Sequence, residues 1–283
     1  DRIIVINGLP YGGTNILWNI IQSHPNIVSP RGETGEIIFH QLLRWIPTDL
    51  LYPILTKSCF LESILHPIIA QHLNHQKLEN LNDPDDRFQY PDVKYTLQTL
   101  NESFLCCKST GREIELTSYF ASNYRNPYFI GLIRNGYAWC NSWMRRPDIP
   151  SRGGDADKAG KKYASWANRM INDSKKYEKY LLLRFEDCIE DPFGVSETIF
   201  NFLNISPAKL DSIRLKSKKQ ILPDGDYHVR YGQQNRKYWF TRNTIGQLLD
   251  SQINANQIDL LSSKDKATFE KHANTVLKYF SYN

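Results

Sequence analysis

With 283 residues, 23% charged and 41% hydrophobic, the chain has ordinary globular composition and the length for one large α/β domain or two small ones. A formal net charge of +5 suits an anionic ligand but is too diffuse to make nucleic acid the partner, and no apolar run approaches the ~20 residues that span a bilayer. The five cysteines (Cys59, Cys106, Cys107, Cys140, Cys188) have neither zinc-ligand spacing nor a disulfide framework and read as buried, reduced thiols.

The chain opens directly on a strand, with no leader pattern, which reads as a trimmed start. Residues 2–7 are a β-branched apolar run of the kind buried on both faces of a parallel sheet. They lead into Gly8-Leu9-Pro10-Tyr11-Gly12-Gly13-Thr14-Asn15, and residues 16–22 then carry apolar side chains at helical spacing until His24-Pro25 stops them. Strand, glycine loop and helix together make a phosphate cradle. Glycine lets the backbone approach an anion, and the helix start offers unpaired N–H groups with a partial positive charge. Gly8 and Gly13 fit the G-x-x-x-x-G frame of a nucleotide triphosphate loop, yet Thr14-Asn15 stands where that loop has Lys and a metal-binding hydroxyl. The cradle therefore suits a phosphate ester bound without a metal.

Beyond the helix, residues 26–30 are extended and lead to a polar turn bearing Glu33 and Glu36. Residues 37–80 are helical in pattern, with Pro47, Pro53 and Pro67 expected to cut them into short helices, and residues 81–95 form a polar loop. Strands are expected at 104–107, 128–133 and 180–185, and helices at 137–143, 163–174 and 193–203. Strands alternating with helices and lacking hairpin signals imply a three-layer α/β sandwich around a mostly parallel sheet. Lys108 and Arg134 follow two of the strands, where ligands of open α/β sheets bind, and Ser142 lies two helical turns beyond Arg134. Arg134 suits a doubly charged phosphate because its planar fork donates two parallel hydrogen bonds. Residues 150–162 read as a loop, 214–241 as a basic, aromatic loop, and 245–282 as two helices.

In order, these pieces resemble the sulfotransferases that use 3′-phosphoadenosine-5′-phosphosulfate (PAPS). The glycine loop with Ser23-His24-Pro25-Asn26 is similar to the family's 5′-phosphosulfate loop, and Leu132-Ile133-Arg134-Asn135-Gly136 through Ser142 to its 3′-phosphate motif. Leu181-Leu182-Leu183-Arg184-Phe185-Glu186-Asp187, ending in Asp191-Pro192, resembles its strand–Tyr–Glu–Asp segment, and residues 239–282 resemble the C-terminus of bacterial and Golgi-type members. The resemblance implies a single P-loop-like domain over residues 1–283. Segments 37–100 and 143–162 would lie on the acceptor side, and 214–242 would be a basic loop over the donor.

The resemblance also distributes roles. Tyr11, Gly12, Gly13, Thr14 and Asn15 would hold the 5′-phosphosulfate, and Arg134 with Ser142 the 3′-phosphate. Trp166 would contact adenine, and Arg236 and Lys237 would close over the donor. Glu33 falls at the matching distance from His24-Pro25 to be the general base, with Glu36 the near alternative. The His of the small-molecule branch is absent, since Lys108 is followed by Ser109-Thr110. Tyr11 stands where the family loop carries Lys or Arg, so Lys108 or the basic loop would supply that charge. The implied activity moves the sulfonate of PAPS onto a hydroxyl or amine, of a glycan or glycolipid in preference to a flat phenol, releasing PAP without a metal. The alternatives are an inactive homologue that binds PAP or PAPS, and a P-loop kinase or NTPase. A bacterial cytoplasm is favoured for its location, with the Golgi lumen of a trimmed chain as the alternative. Neither nucleic acid nor a membrane span is expected.

Overall fold

The computed structural model describes residues 2–57, 59–82, 95–145, 155–207, 210–222 and 224–282. Its centre is a five-stranded sheet in the order β2-β3-β1-β4-β5, formed by β1 (Ile3–Gly8), β2 (Ile27–Val28), β3 (Phe104–Thr110), β4 (Tyr128–Ile133) and β5 (Tyr180–Arg184). Every pairing is parallel, and β1 is flanked on both sides, with Ile4 opposite both Cys106 and Tyr128. That position explains why residues 3–6 are apolar without alternation: both faces are covered.

The strand period sorts those side chains into two layers. Ile3 and Val5 face a cluster with Tyr119 and Phe120 of α5 (Thr117–Asn123), Trp139 of α6 (Gly136–Met144), Tyr163 of α7 (Ala156–Lys176) and Phe269 of α11 (Ser263–Tyr279). Ile4 and Ile6 face Leu17 and Ile20 of α1 (Thr14–Gln22), Phe185 of α8 (Phe185–Glu190) and Phe200 of α9 (Pro192–Phe202). The sandwich thus has three layers, as the alternation of elements implied. The ends of β1, β3, β4 and β5 bring Gly8, Thr110, Ile133 and Arg184 to one edge.

Several elements differ from the sequence reading. Pro47 precedes a helix, but Pro53 and Pro67 lie inside α2 (Thr48–Lys57) and α3 (Cys59–Asn82). The hydrogen bond each proline removes is outweighed by burial of Leu51 and Leu55 on α2 and of Ile69 and Leu73 on α3. Residues 36–42 form a π-helix, Glu36–Leu42. β3 runs on to Thr110, so Lys108 belongs to the strand, not to a loop after it, and a 3₁₀ turn, Gly111–Leu116, continues into α5.

α7 starts at Ala156, seven residues before the expected 163. The Asp155 side chain caps it, accepting from the Lys158 N–H at 2.9 Å, and a Cβ at Gly160 would come within 2.7 Å of the Phe269 carbonyl of α11. Gly160, inside the segment expected to be a loop, is therefore a packing glycine of the helix. Residues 214–242 are not a loop. β6 (Ile213–Lys216) pairs antiparallel with β9 (Lys237–Phe240), and β7 (Lys219–Ile221) with β8 (Tyr227–Val229). The unnoticed signal was the alternation of Ile213 and Leu215, which are buried while Arg214 and Lys216 are only partly so. The expected polar loop 81–95 and the Gly153-Gly154 stretch lie outside the described residues, but for the loop's ends.

Candidate functional site

The glycine loop is shaped by left-handed backbone at Tyr11 (φ 62°) and Gly13 (φ 87°) and closed by a hydrogen bond from the Gly12 N–H to the Leu9 carbonyl at 2.9 Å. Gly13 could not be another residue. Besides its φ, a Cβ would lie 2.1 Å from the Phe185 ring. It is the N-cap of α1, whose first turn has no side-chain cap and no acidic residue. The opening amides of α1 therefore remain available to an anion. Gly8 makes room for the buried Thr14, whose methyl group would be 2.3 Å from a Cβ there.

Arg134 backs this loop. Its guanidinium is buried, donating from Nη1 to the Tyr11 carbonyl at 3.0 Å and from Nε to Asn254 Oδ1 at 2.8 Å on α10 (Ile253–Asp259). Ser142 Oγ lies 3.5 Å from Nη1, so the two residues expected to share a phosphate are neighbours. With its amide nitrogen toward Ser142 Oγ and the Ala138 carbonyl, Gln257 accepts from Arg134 Nη2 at 2.9 Å. These acceptors are neutral, so the positive charge is held without a direct counter-ion. Burial pushes the guanidinium pKa down to about 10, against the pull of Glu186 and Tyr282. Glu186 knits the surrounding turns, accepting from the Asn135 N–H at 2.9 Å, from Tyr282 Oη at 2.7 Å and from Asn254 Nδ2.

On the other side of the loop stands Lys108, buried at the end of β3. Its Nζ donates to Asn15 Oδ1 at 2.7 Å and to Glu33 Oε1 at 2.9 Å, and lies 4.5 Å from the centre of the Trp18 ring. Thr110 Oγ1 donates to Glu33 Oε2 at 2.8 Å. A loop side chain, a cation and a carboxylate thus line up in one contact chain. A second carboxylate, Glu113 of the 3₁₀ turn, accepts from the Thr110 N–H at 3.2 Å. Its burial first, and then the charge of Glu33, push its pKa up to about 7.

The remaining expected residues are more peripheral. Trp166 packs edge-on against Trp139 and Trp143 beside the loop, where Trp139 Nε1 donates to the Pro10 carbonyl at 2.6 Å. Glu36 begins the π-helix exposed to solvent, with its carboxylate over Gly32. Arg236 is exposed and donates to Gln233 Oε1 at 3.3 Å, and Lys237 pairs with Lys216 across β6 and β9. Sequence reasoning missed Glu113, Asn254 and Gln257. It quoted Glu186 without a role, and Thr110 as one of the hydroxyls of a candidate anion site at the strand end and as the residue standing where a His was sought. Glu113 reaches the site from a segment that carried no motif, and Asn254 and Gln257 from the C-terminal stretch, whose resemblance assigned them no role. The described residues contain no group of His, Cys, Asp and Glu able to hold a metal ion, and no helix long and apolar enough to cross a membrane.

Comparison with solved structures identifies the architecture. The sulfotransferase domain from the curacin biosynthetic pathway superposes with a TM-score of 0.54 at 16% identity, over 100% of this chain and 98% of that one. The sulfotransferase domain of the Synechococcus PCC 7002 olefin synthase (TM-score 0.48, 16% identity, 73% and 74% covered) and a sulfotransferase from Alicyclobacillus acidocaldarius (0.45, 14%, 73% and 82%) are also similar, at scores on which nothing further rests. No family model and no curated protein sequence matches the chain. The chain has the α/β fold of a sulfotransferase domain.

Proposed function

We propose that residues 1–283 form one PAPS-dependent sulfotransferase domain, moving a sulfonate onto a hydroxyl or amine of an acceptor of glycan or glycolipid type. The observation that carries this reading is the chain of contacts Asn15–Lys108–Glu33, which sets a buried cation between an anion cradle and a carboxylate. Sulfonate transfer needs those two groups: a base for the acceptor proton, and a positive charge for the phosphate oxygen that departs. The likeness to the curacin-pathway domain supports the same reading at the level of fold.

In this reading the amides of residues 11–15 and the Thr14 hydroxyl hold the 5′-phosphate side of the donor, and Arg134 with Ser142 its 3′-phosphate. Arg134 fits the role because a buried guanidinium with neutral partners carries charge that a phosphate can satisfy. Lys108 supplies the cation that Tyr11 does not. Glu33, partly exposed and held by Lys108 and Thr110, takes the acceptor proton. Trp166 lies beside the loop on the side proposed for adenine.

Thermal unfolding with PAP, and separately with ATP and Mg²⁺, tests the donor site. PAP at one hundred times its dissociation constant should add about 2.7 kcal/mol of stability. Arg134→Ala should abolish that shift, since losing charge-assisted hydrogen bonds worth about 1.5–3 kcal/mol each weakens binding by roughly a hundredfold or more. A shift with MgATP and none with PAP would overturn the reading and make the cradle an ordinary nucleotide site.

A further inference from the structure

Glu33 and Glu113 are eighty residues apart in sequence, yet Thr110 touches both. Its amide donates to Glu113 Oε2 and its hydroxyl to Glu33 Oε2. Glu113 is seated where little else fits. The Gly35 and Thr110 amides point at its carboxylate, and a Cβ on Gly35 would lie 2.1 Å from Oε1. Gly35 therefore lets the carboxylate slide under the turn that carries Glu33. Helix capping accounts for the Thr110 amide bond, but not for the glycine or for a second carboxylate brought beside the first.

Resting on the function proposed above, we propose that Glu113 is a positioning residue for sulfonate transfer: it anchors the Thr110 strand end and the Gly35 turn that aim Glu33, and its charge is coupled to that of Glu33. Lys108 pairs with Glu33 at 2.9 Å and its charge also reaches Glu113. The charge of Glu33 raises the Glu113 pKa, and the coupling is reciprocal: ionising Glu113 places a second negative charge beside Glu33 and makes it hold a proton more readily. The other groups facing Glu113 do not undo this. Tyr52 on α2, next to the Glu113 charge, is itself held protonated by burial, and Arg112 beside Tyr52 is engaged with Asp49 at 2.7 Å and lies 4.0 Å from Glu115. Protonation of Glu113 thereby sets the basicity of Glu33 near neutral pH.

The test follows the carboxyl carbons of ¹³C-glutamate-labelled protein by NMR from pH 4 to 9, without ligand. One glutamate should titrate near pH 7 in the wild type. That signal should vanish in Glu113→Gln and move to lower pH in Glu33→Gln, which removes the neighbouring charge. Persistence of the signal in Glu113→Gln, or its indifference to Glu33→Gln, would overturn the proposal. The partly exposed Glu33 variant keeps the test decisive should Glu113→Gln fail to fold. A Glu113 whose charge is insulated from Glu33 would give no such cross-response. PAP binding is measured on the same samples by calorimetry. Absence of PAP binding with the cross-response intact would reject the transferase reading and leave the coupled pair standing, whereas PAP binding without the cross-response would reject only the coupling.

Discussion

The glycine loop and the helices α2 and α3 lie on the same side of the protein's history as a sequence, within its first eighty-two residues, but they are built on opposite plans. The loop is fixed by backbone: left-handed residues, glycines with no room for a Cβ, and a buried arginine donating to the Tyr11 carbonyl oxygen. These two helices bury one face and leave apolar side chains bare on the other. On α2 Leu50 is 58% exposed, and on α3 Phe60 is 74% exposed, with Leu61, Ile64 and Ile68 continuing the exposed stripe. One region is specified by conformation and buried polar contacts, and the other by a pattern of side chains on a helical surface. Substitutions should therefore act on fold and donor binding in the first region and leave both untouched in the second.

The largest effect is expected at Gly13. Alanine there meets both a left-handed φ, at about 1–2 kcal/mol, and the Phe185 ring, where overpacking costs typically 1–3 kcal/mol. Gly13→Ala should lower the unfolding free energy by about 2–5 kcal/mol in urea titrations, and an unchanged midpoint would break the claim that backbone fixes the loop. Next comes Lys108→Ala, which removes the cation between Asn15 and Glu33. With an acceptor found by screening, turnover should fall by about 10²–10³, the scale for losing one electrostatic stabiliser, with a much smaller change in PAP affinity. Equal losses in both would instead make Lys108 a donor-binding residue.

A subtler effect concerns pH. The Glu113 carboxyl holds its proton to about pH 7 when folded, against an ordinary value of 4.5. Between those values the unfolded chain has lost a proton that the folded chain keeps, so this group's contribution to stability is greatest below pH 4.5 and declines as pH rises to 7. Glu113→Gln removes that decline. The melting temperature of the variant relative to wild type should climb between pH 4.5 and 7.5, and a flat difference would show that Glu113 is not perturbed.

The same contrast explains what was legible in the sequence. The sheet and the cradle could be read because a buried parallel strand is a continuous apolar run and because Gly8, Gly12 and Gly13 stand within six residues. Arg134 and Ser142 could be read because one strand end and the helix after it hold both. Glu113 could not, since its partner Glu33 comes from another segment and only the register of β3 against β1 and β2 brings them together. The strands of 213–240 were hidden by their charge, because only Ile213, Leu215 and Phe240 mark the buried face. α2 and α3 ran through their prolines because tertiary burial outweighs one lost hydrogen bond, an effect no local pattern records.

The smallest effect sharpens the contrast most. Phe60 and Ile64 lie one turn apart on α3 and face solvent, while Ile69 and Leu73 of the same helix face the core. Serine at an exposed position gives up almost no buried area, so Phe60→Ser and Ile64→Ser should each change stability by no more than about 0.5 kcal/mol. The PAP-induced thermal shift should also stay at its wild-type size, because none of the described contacts of Arg134 or Lys108 comes from this face. Ile69→Ser, on the buried face, is the control and should cost several-fold more. If the exposed pair proved as damaging as Ile69, the stripe would be part of the folded core, and the division between a conformationally fixed loop and a surface-patterned helix pair would fail.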